Sequence, residues 1–370
     1  MTDARLPVTL LTGFLGAGKT TVLNALLSDP SAGRIMVIVN EFGEAGLDHD
    51  LIETVGDDIA LMRSGCLCCS LRGELAETIA DLVFRRHRGE LAFERLVIET
   101  TGLADPGPIV QSLVADRTLA RATRLDGVVT VADAVNGVAT QDAQFEAVVQ
   151  LALADLIVLS KADLASAAQH AAIRARLGEI NPGAAVVEAV HGVGLSGRIW
   201  GLSAVSDGVA LTDAIAWTTL PPSATDPLAN LSGLSPPQPE PVQSSAHGAR
   251  ICTVSTVVAE PLDGDVFDGW LNDLVAMRGE KLLRVKGIVF LDDVELPFVF
   301  HGVQHVFDRP VPLRDWNGGP RRSRIVIIAR DLSKAWLQAR LDQLTHSNAA
   351  RQGRTQLAGD LPTSPARGRG

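Results

Sequence analysis

Val8-Thr9-Leu10-Leu11-Thr12-Gly13-Phe14-Leu15-Gly16-Ala17-Gly18-Lys19-Thr20-Thr21 is a short apolar run, a glycine-rich turn, and the start of a segment whose apolar residues recur at helical spacing through Leu27. This reads as strand, loop, helix. Gly13 to Thr20 matches G-x-x-x-x-G-K-T in the setting that motif requires. Gly13, Gly16 and Gly18 let the loop curl so that its backbone N–H groups, with the helix N-terminus behind them, surround phosphate oxygens. Gly13, Gly16, Ala17, Gly18, Lys19, Thr20 and Thr21 are therefore the expected phosphate-binding set. Lys19 supplies a point charge to the β and γ phosphates, and the Thr20 hydroxyl is placed to ligate Mg²⁺.

Such a site needs a carboxylate at the end of a neighbouring strand. Arg95-Leu96-Val97-Ile98-Glu99-Thr100-Thr101-Gly102 offers Glu99 at a strand end, and Gly102 where a backbone N–H can sense the γ-phosphate. Lys19, Thr20 and Glu99 are the expected catalytic group, with Thr20 and Glu99 holding Mg²⁺. Base choice falls to Leu156-Ile157-Val158-Leu159-Ser160-Lys161-Ala162-Asp163, where Ser160, Lys161 and Asp163 are expected at the base. A carboxylate at Asp163 can accept from the N1 and N2 donors of guanine, which adenine lacks, while the Lys161 stem covers the ring. The usual signature begins with Asn, so Ser160 is a departure.

Working outward, Ile35–Val39, Leu96–Glu99, Gly127–Val131 and Leu156–Ser160 are short runs of Val, Ile and Leu, as in strands buried on both faces. Periodic stretches at Gly73–Arg86 and Asp142–Ala154 suit crossover helices. The fold expected for residues 1–200 is a P-loop α/β domain built on a doubly wound, mostly parallel sheet. Residues 201–249 concentrate Pro among Ser, Thr and Asn and read as a linker. Residues 250–346 pattern as a smaller α+β domain with a closing helix from Leu332 to Leu344, and 347–370 as a disordered tail.

At 46% hydrophobic and 21% charged residues the chain is globular, and its net charge of −10 opposes nucleic acid and anionic lipid as partners. Met1 to Pro7 lacks the apolar run of a secretory signal, and no stretch is long enough to span a bilayer. A cytoplasmic protein is expected.

Three of the four cysteines fall at Cys66, Cys68 and Cys69, unlike the spread of a disulfide framework. Thiolates are soft ligands for Zn²⁺, and three within four residues can reach one ion if their loop curls. The absence of a fourth nearby Cys leaves a position for another donor, as a transferable metal requires. Glu41 and Glu44, after the second strand, are candidate oxygen ligands, with Glu44 preferred. Buried structural cysteines and a redox thiol group are the alternatives. His301 and His305 read as packed histidines, and Cys252 as a core thiol.

Taken together, Thr12–Thr21, Asn40-Glu-Phe-Gly-Glu44, Gly65-Cys-Leu-Cys-Cys69 and Glu99-Thr-Thr-Gly-Leu-Ala-Asp-Pro106 resemble the successive motifs of the CobW-like metallochaperone GTPases, relatives of the nickel-insertion GTPases of urease and hydrogenase maturation. Leu283-Arg-Val-Lys-Gly287, His301-Gly-Val-Gln-His305 and Arg321-Arg-Ser-Arg324 resemble that family's C-terminal signature. The resemblance implies GTP hydrolysis coupled to transfer of a metal from the Cys cluster to a client metalloprotein. Zinc is the commonest cargo, and cobalt or nickel the alternatives. A homo-oligomer is compatible with it. A regulatory GTPase with structural cysteines, or an insertion factor for one metalloenzyme, are the competing readings. Two departures stand out: residues 200–249 hold only His247 where relatives carry a His-rich stretch, and Val39 replaces a Glu found in close relatives.

Overall fold

The computed structural model describes residues 4–40, 59–62, 71–195, 197–202, 250–307, 310–314, 316 and 320–359. Its first layer is a seven-stranded parallel sheet in the order β3-β2-β4-β1-β5-β6-β7. The strands are β1 (Leu6–Gly13), β2 (Ile35–Asn40), β3 (Ile59–Met62), β4 (Arg95–Thr100), β5 (Thr123–Asp133), β6 (Leu156–Ser160) and β7 (Ala185–Ala189). Helices α1 (Lys19–Leu27), α2 (Leu71–His87), α3 (Gly107–Ala115), α4 (Arg117–Ala122), α5 (Gly137–Ala143), α6 (Phe145–Leu153) and α7 (Ala167–Ile180) connect them.

Alternate residues of each strand feed opposite faces. Leu10, Ile38 and Ile98 join the core under α2, α3, α6 and α7, while Leu11, Val37 and Val97 join the one under α1. Burial on both faces explains why these strands are continuous apolar runs. Two strands of this sheet escape the sequence reading. β3 is only four residues, and β7 sits at an edge with Glu188 exposed. The helix expected over Asp142–Ala154 is instead two, because Gln144 is extended (φ −131°, ψ 113°) between α5 and α6.

The second layer is an antiparallel sheet, β11-β10-β9-β13-β8, with β12 on β10. It is formed by β8 (Ile251–Val258), β9 (Leu282–Val289), β10 (Phe298–Val303), β11 (Val306–Phe307), β12 (Val311–Pro312) and β13 (Ser323–Arg330). One face packs under α8 (Gly264–Arg278) and α9 (Lys334–Gly359) around Phe267, Trp270, Leu337 and Leu341. From the other, Leu283, Val303 and Ile328 enter the core of the parallel-sheet domain.

α9 corrects an expectation. The closing helix does not stop at Leu344 but runs to Gly359, so residues 347–359 are helical where a disordered tail was expected. The buried side chain of Asn348 accepts from the Asp263 N–H (2.8 Å) and donates to the Pro261 carbonyl (3.1 Å), and Arg351 pairs with Asp263 and Asp265. These tertiary partners anchor α9 beyond Leu344, at Asn348 and Arg351.

Between the layers, the Asp155 carboxylate is buried against Arg284 and Lys286 of β9, with Lys286 Nζ at 2.6 Å. The Val128 N–H donates to its other oxygen at 2.9 Å. Burial by itself would raise the Asp155 pKa, but the two cations hold it far below the ordinary carboxylate range. Lys286 is displaced downward, chiefly by burial, against the attraction of Asp155.

Candidate nucleotide and metal site

β1 ends at Gly13, whose φ of 144° belongs to glycine. A Cβ there would lie 2.4 Å from the Val131 carbonyl oxygen of β5, so the strand end and the loop both need glycine. Gly16 (φ 70°) and Gly18 (φ 96°) complete the curl, and the Ala17 N–H donates to the Phe14 carbonyl at 3.2 Å. Gly18 is the N-cap of α1 with no side chain over the helix end, which leaves the first-turn N–H groups open for anionic oxygen. Lys19 Nζ bends back to within 3.5 Å of the Phe14 carbonyl, over the loop. Thr20 and Thr21 follow in the first turn of α1.

The segment read as base-selective closes directly on this loop. Ser160 Oγ donates to the Ala17 carbonyl at 2.6 Å. Lys161, left-handed at φ 54°, donates to the Gly16 carbonyl at 2.8 Å and to Asp133 Oδ2 at 2.6 Å. Asp163 is exposed one turn further on. The serine that departs from the usual Asn thus ties the loop to β6. Ser160→Ala is expected to cost about 0.5–1.5 kcal/mol of unfolding free energy in a denaturant melt, because it strands the Ala17 carbonyl.

Asp133 is a residue that sequence reasoning missed. It ends β5 and accepts from the N–H groups of Val135 and Asn136. Burial pushes its pKa up, but Lys161 and the donors at 135 and 136 more than offset that, leaving it below the ordinary value. The signal was present as an apolar strand ending in Asp-Ala-Val-Asn.

Glu99 is buried near the end of β4, opposite Leu11 of β1 and Val39 of β2. Beyond it, a Cβ on Gly102 would lie 2.6 Å from the Leu15 backbone nitrogen, so the segment after β4 lies against the phosphate loop. Gln150, fully buried among apolar residues of α6, donates from Nε2 to the carbonyls of Gly102 (3.1 Å) and Ala104 (3.0 Å). That pair of bonds satisfies the buried NH₂ group of the amide, which would cost stability if left unbonded.

Cys66, Cys68, Cys69, Glu41 and Glu44 lie outside the described residues. The strands that lead to them do not. Asn40 of β2 is level with Met62 of β3 and Thr100 of β4, so the segments after β2 and β3 leave from the same carboxyl edge as the phosphate loop. β3 stands three strands from β1, about 14 Å at the usual strand spacing. In open parallel sheets this is the edge where ligands bind.

The histidines of β10 separate. His301 is buried with Nδ1 at 3.4 Å from Arg284 Nη2, while His305 is exposed beyond the strand. Cys252 is half-buried, its Sγ donating to the Leu332 carbonyl at 3.1 Å, and burial raises its pKa. Among the described residues no group of three or more His, Cys, Asp and Glu side chains is arranged to hold a metal ion, and no helix is long and apolar enough to cross a membrane.

Comparison with known proteins agrees with this architecture. Residues 7–188 match the CobW/HypB/UreG nucleotide-binding domain, and 251–345 the cobalamin synthesis protein cobW C-terminal domain. The chain is 33% identical to zinc chaperone YjiA of Escherichia coli, an alignment covering 90% of this chain and 96% of that one. It is 30% identical to zinc-regulated GTPase metalloprotein activator 1 of Schizosaccharomyces pombe over 82% and 76% of the two chains. The crystal structure of Zn(II)-bound YjiA GTPase from E. coli superposes with a TM-score of 0.66 at 26% identity, covering 92% of this chain and 99% of that one. With both of its folded layers matched in order, and a full-length relative at this identity, the chain belongs to the CobW/HypB/UreG family.

Proposed function

We propose that this protein is a GTP-hydrolysing metal chaperone that carries zinc at Cys66, Cys68 and Cys69, with Glu44 as an oxygen ligand, and delivers it to a client metalloprotein. The observation that carries the nucleotide half is the closure of Ser160 and Lys161 onto the carbonyls of Ala17 and Gly16, which joins the base-reading segment to the phosphate loop. The cargo half rests on the thiol segment being rooted at the same sheet edge, and on the names of two relatives as a zinc chaperone and a zinc-regulated GTPase.

The residues present fit magnesium nucleotide. Gly13, Gly16 and Gly18 let the loop curl at positive φ, and the N-cap of α1 is uncovered. Thr20 and Glu99 would hold Mg²⁺, which when bound neutralises charge on the phosphates. Lys19 fixes the β and γ phosphates. Gly102, held through Gln150, brings its backbone N–H toward the γ-phosphate. Asp163 selects guanine. Loss of the γ-phosphate releases the segment after β4 and the thiol segment, as switch loops are released on hydrolysis.

Zinc affinity measured by competition titration is expected to differ about tenfold or more between the forms saturated with a non-hydrolysable GTP analogue and with GDP. Cys66→Ser combined with Cys68→Ser and Cys69→Ser should erase that difference. Equal affinities in the two nucleotide states would remove the coupling, since a ligand without differential affinity shifts nothing. Zinc-independent hydrolysis with dispensable thiols would instead make the protein a regulatory GTPase with structural cysteines.

A further inference from the structure

The segment after β4 is gripped from both layers of the molecule. On one side Gly102 packs on Leu15, and Gln150 holds the carbonyls of Gly102 and Ala104. On the other, Asp105 Oδ2 lies 3.7 Å from Arg330 Nη1 of β13, while Asp105 Oδ1 accepts from the Gly107 N–H (2.8 Å) at the start of α3. Four residues on, Gln111 Nε2 donates to Gln304 Oε1 across the interface, and the side chain of Gln111 is buried. A Cβ on Gly107 would come within 3.4 Å of Gln304 Nε2, so that amide lies beside the helix start.

Gln304 is itself an unusual residue. It stands in the left-handed region at φ 57°, a conformation that costs a non-glycine residue energy, and its N–H is tied to the Leu282 carbonyl at 2.8 Å. It forms the turn between β10 and β11, next to exposed His305. The Asp105–Arg330 pair is partly exposed and contributes little to stability. Its consequence is geometric: residues 102–107, which include Pro106 with its restricted φ, form a short stiff link between the phosphate loop and the second sheet.

We propose that the C-terminal domain reads the nucleotide state through this seam, the link and α3 shifting as a unit when the γ-phosphate comes or goes and the Gln304–His305 turn following. The inference rests on the GTPase reading above and adds the route by which nucleotide alters the C-terminal domain. Coupling of this kind is reciprocal: if nucleotide biases the turn, contacts at the turn bias nucleotide choice.

The test is hydrogen exchange of residues 298–307 in the full chain, saturated either with GDP or with a non-hydrolysable GTP analogue, saturation being checked with fluorescent nucleotide. Exchange rates in the turn are expected to differ about threefold or more between the two states. Arg330→Ala combined with Gln304→Gly should remove the difference and shift the ratio of analogue to GDP affinity by about three- to tenfold. A role confined to holding the domains together would leave that ratio unchanged. Saturating binding with identical exchange in both states overturns this proposal alone, whereas failure to bind nucleotide overturns it together with the GTPase assignment.

Discussion

Asp155→Ala is expected to destabilise the protein by about 3–5 kcal/mol, because it leaves Arg284 and Lys286 buried without their counter-charge. The Asp155 and Arg284 side chains are only 4% and 2% exposed, so water cannot take the carboxylate's place without opening the interface. Chemical denaturation of the full chain, followed by tryptophan fluorescence, measures the loss. Limited proteolysis at the junction of the two layers should accelerate in parallel. A replacement that unfolded at the wild-type denaturant concentration would show that the cluster contributes nothing.

The same cluster sets a pH dependence with a definite sign. Asp155 has a folded pKa below its unfolded value, so its contribution is complete above pH ~4 and is lost as pH falls toward the folded value. Lys286, also lowered, is penalised in the folded state while protonated, and that penalty lifts as pH rises toward ~10.4. In both windows the unfolded chain binds more protons than the folded one, so stability rises with pH. The acid limb should flatten in the Asp155→Ala variant.

Lys19→Ala is expected to lower the rate of GTP hydrolysis about 10²–10³-fold, the usual cost of removing one preorganised stabiliser of transition-state charge. Nucleotide affinity should fall about tenfold or more, as befits a lost charge-assisted bond. The contact from Lys19 Nζ to the Phe14 carbonyl is long, 3.5 Å, so its loss should change stability by no more than about 0.5 kcal/mol. Steady-state phosphate release and fluorescent-nucleotide titration check the two effects separately. Wild-type turnover in this variant would detach the loop from catalysis. Lys19→Arg should recover little, since a planar guanidinium does not replace a compact ammonium in a tight backbone cradle.

The loop geometry of residues 13–20 was legible because the turn makes local demands: glycine at positive φ, and a helix that starts at Lys19 directly behind it. Such demands sit within one strand, loop and helix, and sequence states them outright. The sheet was legible for a similar reason, since parallel strands buried on both faces must be apolar throughout. β3 and β7 escaped because a four-residue edge strand and a half-exposed one carry too little pattern.

What the amino-acid order determined alone was the curl of the glycine-rich loop after β1, the parallel-sheet architecture and the clustering of three thiols. What only tertiary structure decided was pairing across distance: Lys161 with Asp133, Gln150 with residues 102 and 104, Asp155 with Arg284 and Lys286, Gln111 with Gln304, and Asn348 and Arg351 of α9 with residues 261–265. Each joins groups that no local backbone preference brings together. A buried amide or charge is stabilising only when its partner arrives from elsewhere in the chain, so its meaning appears only once the layers have packed.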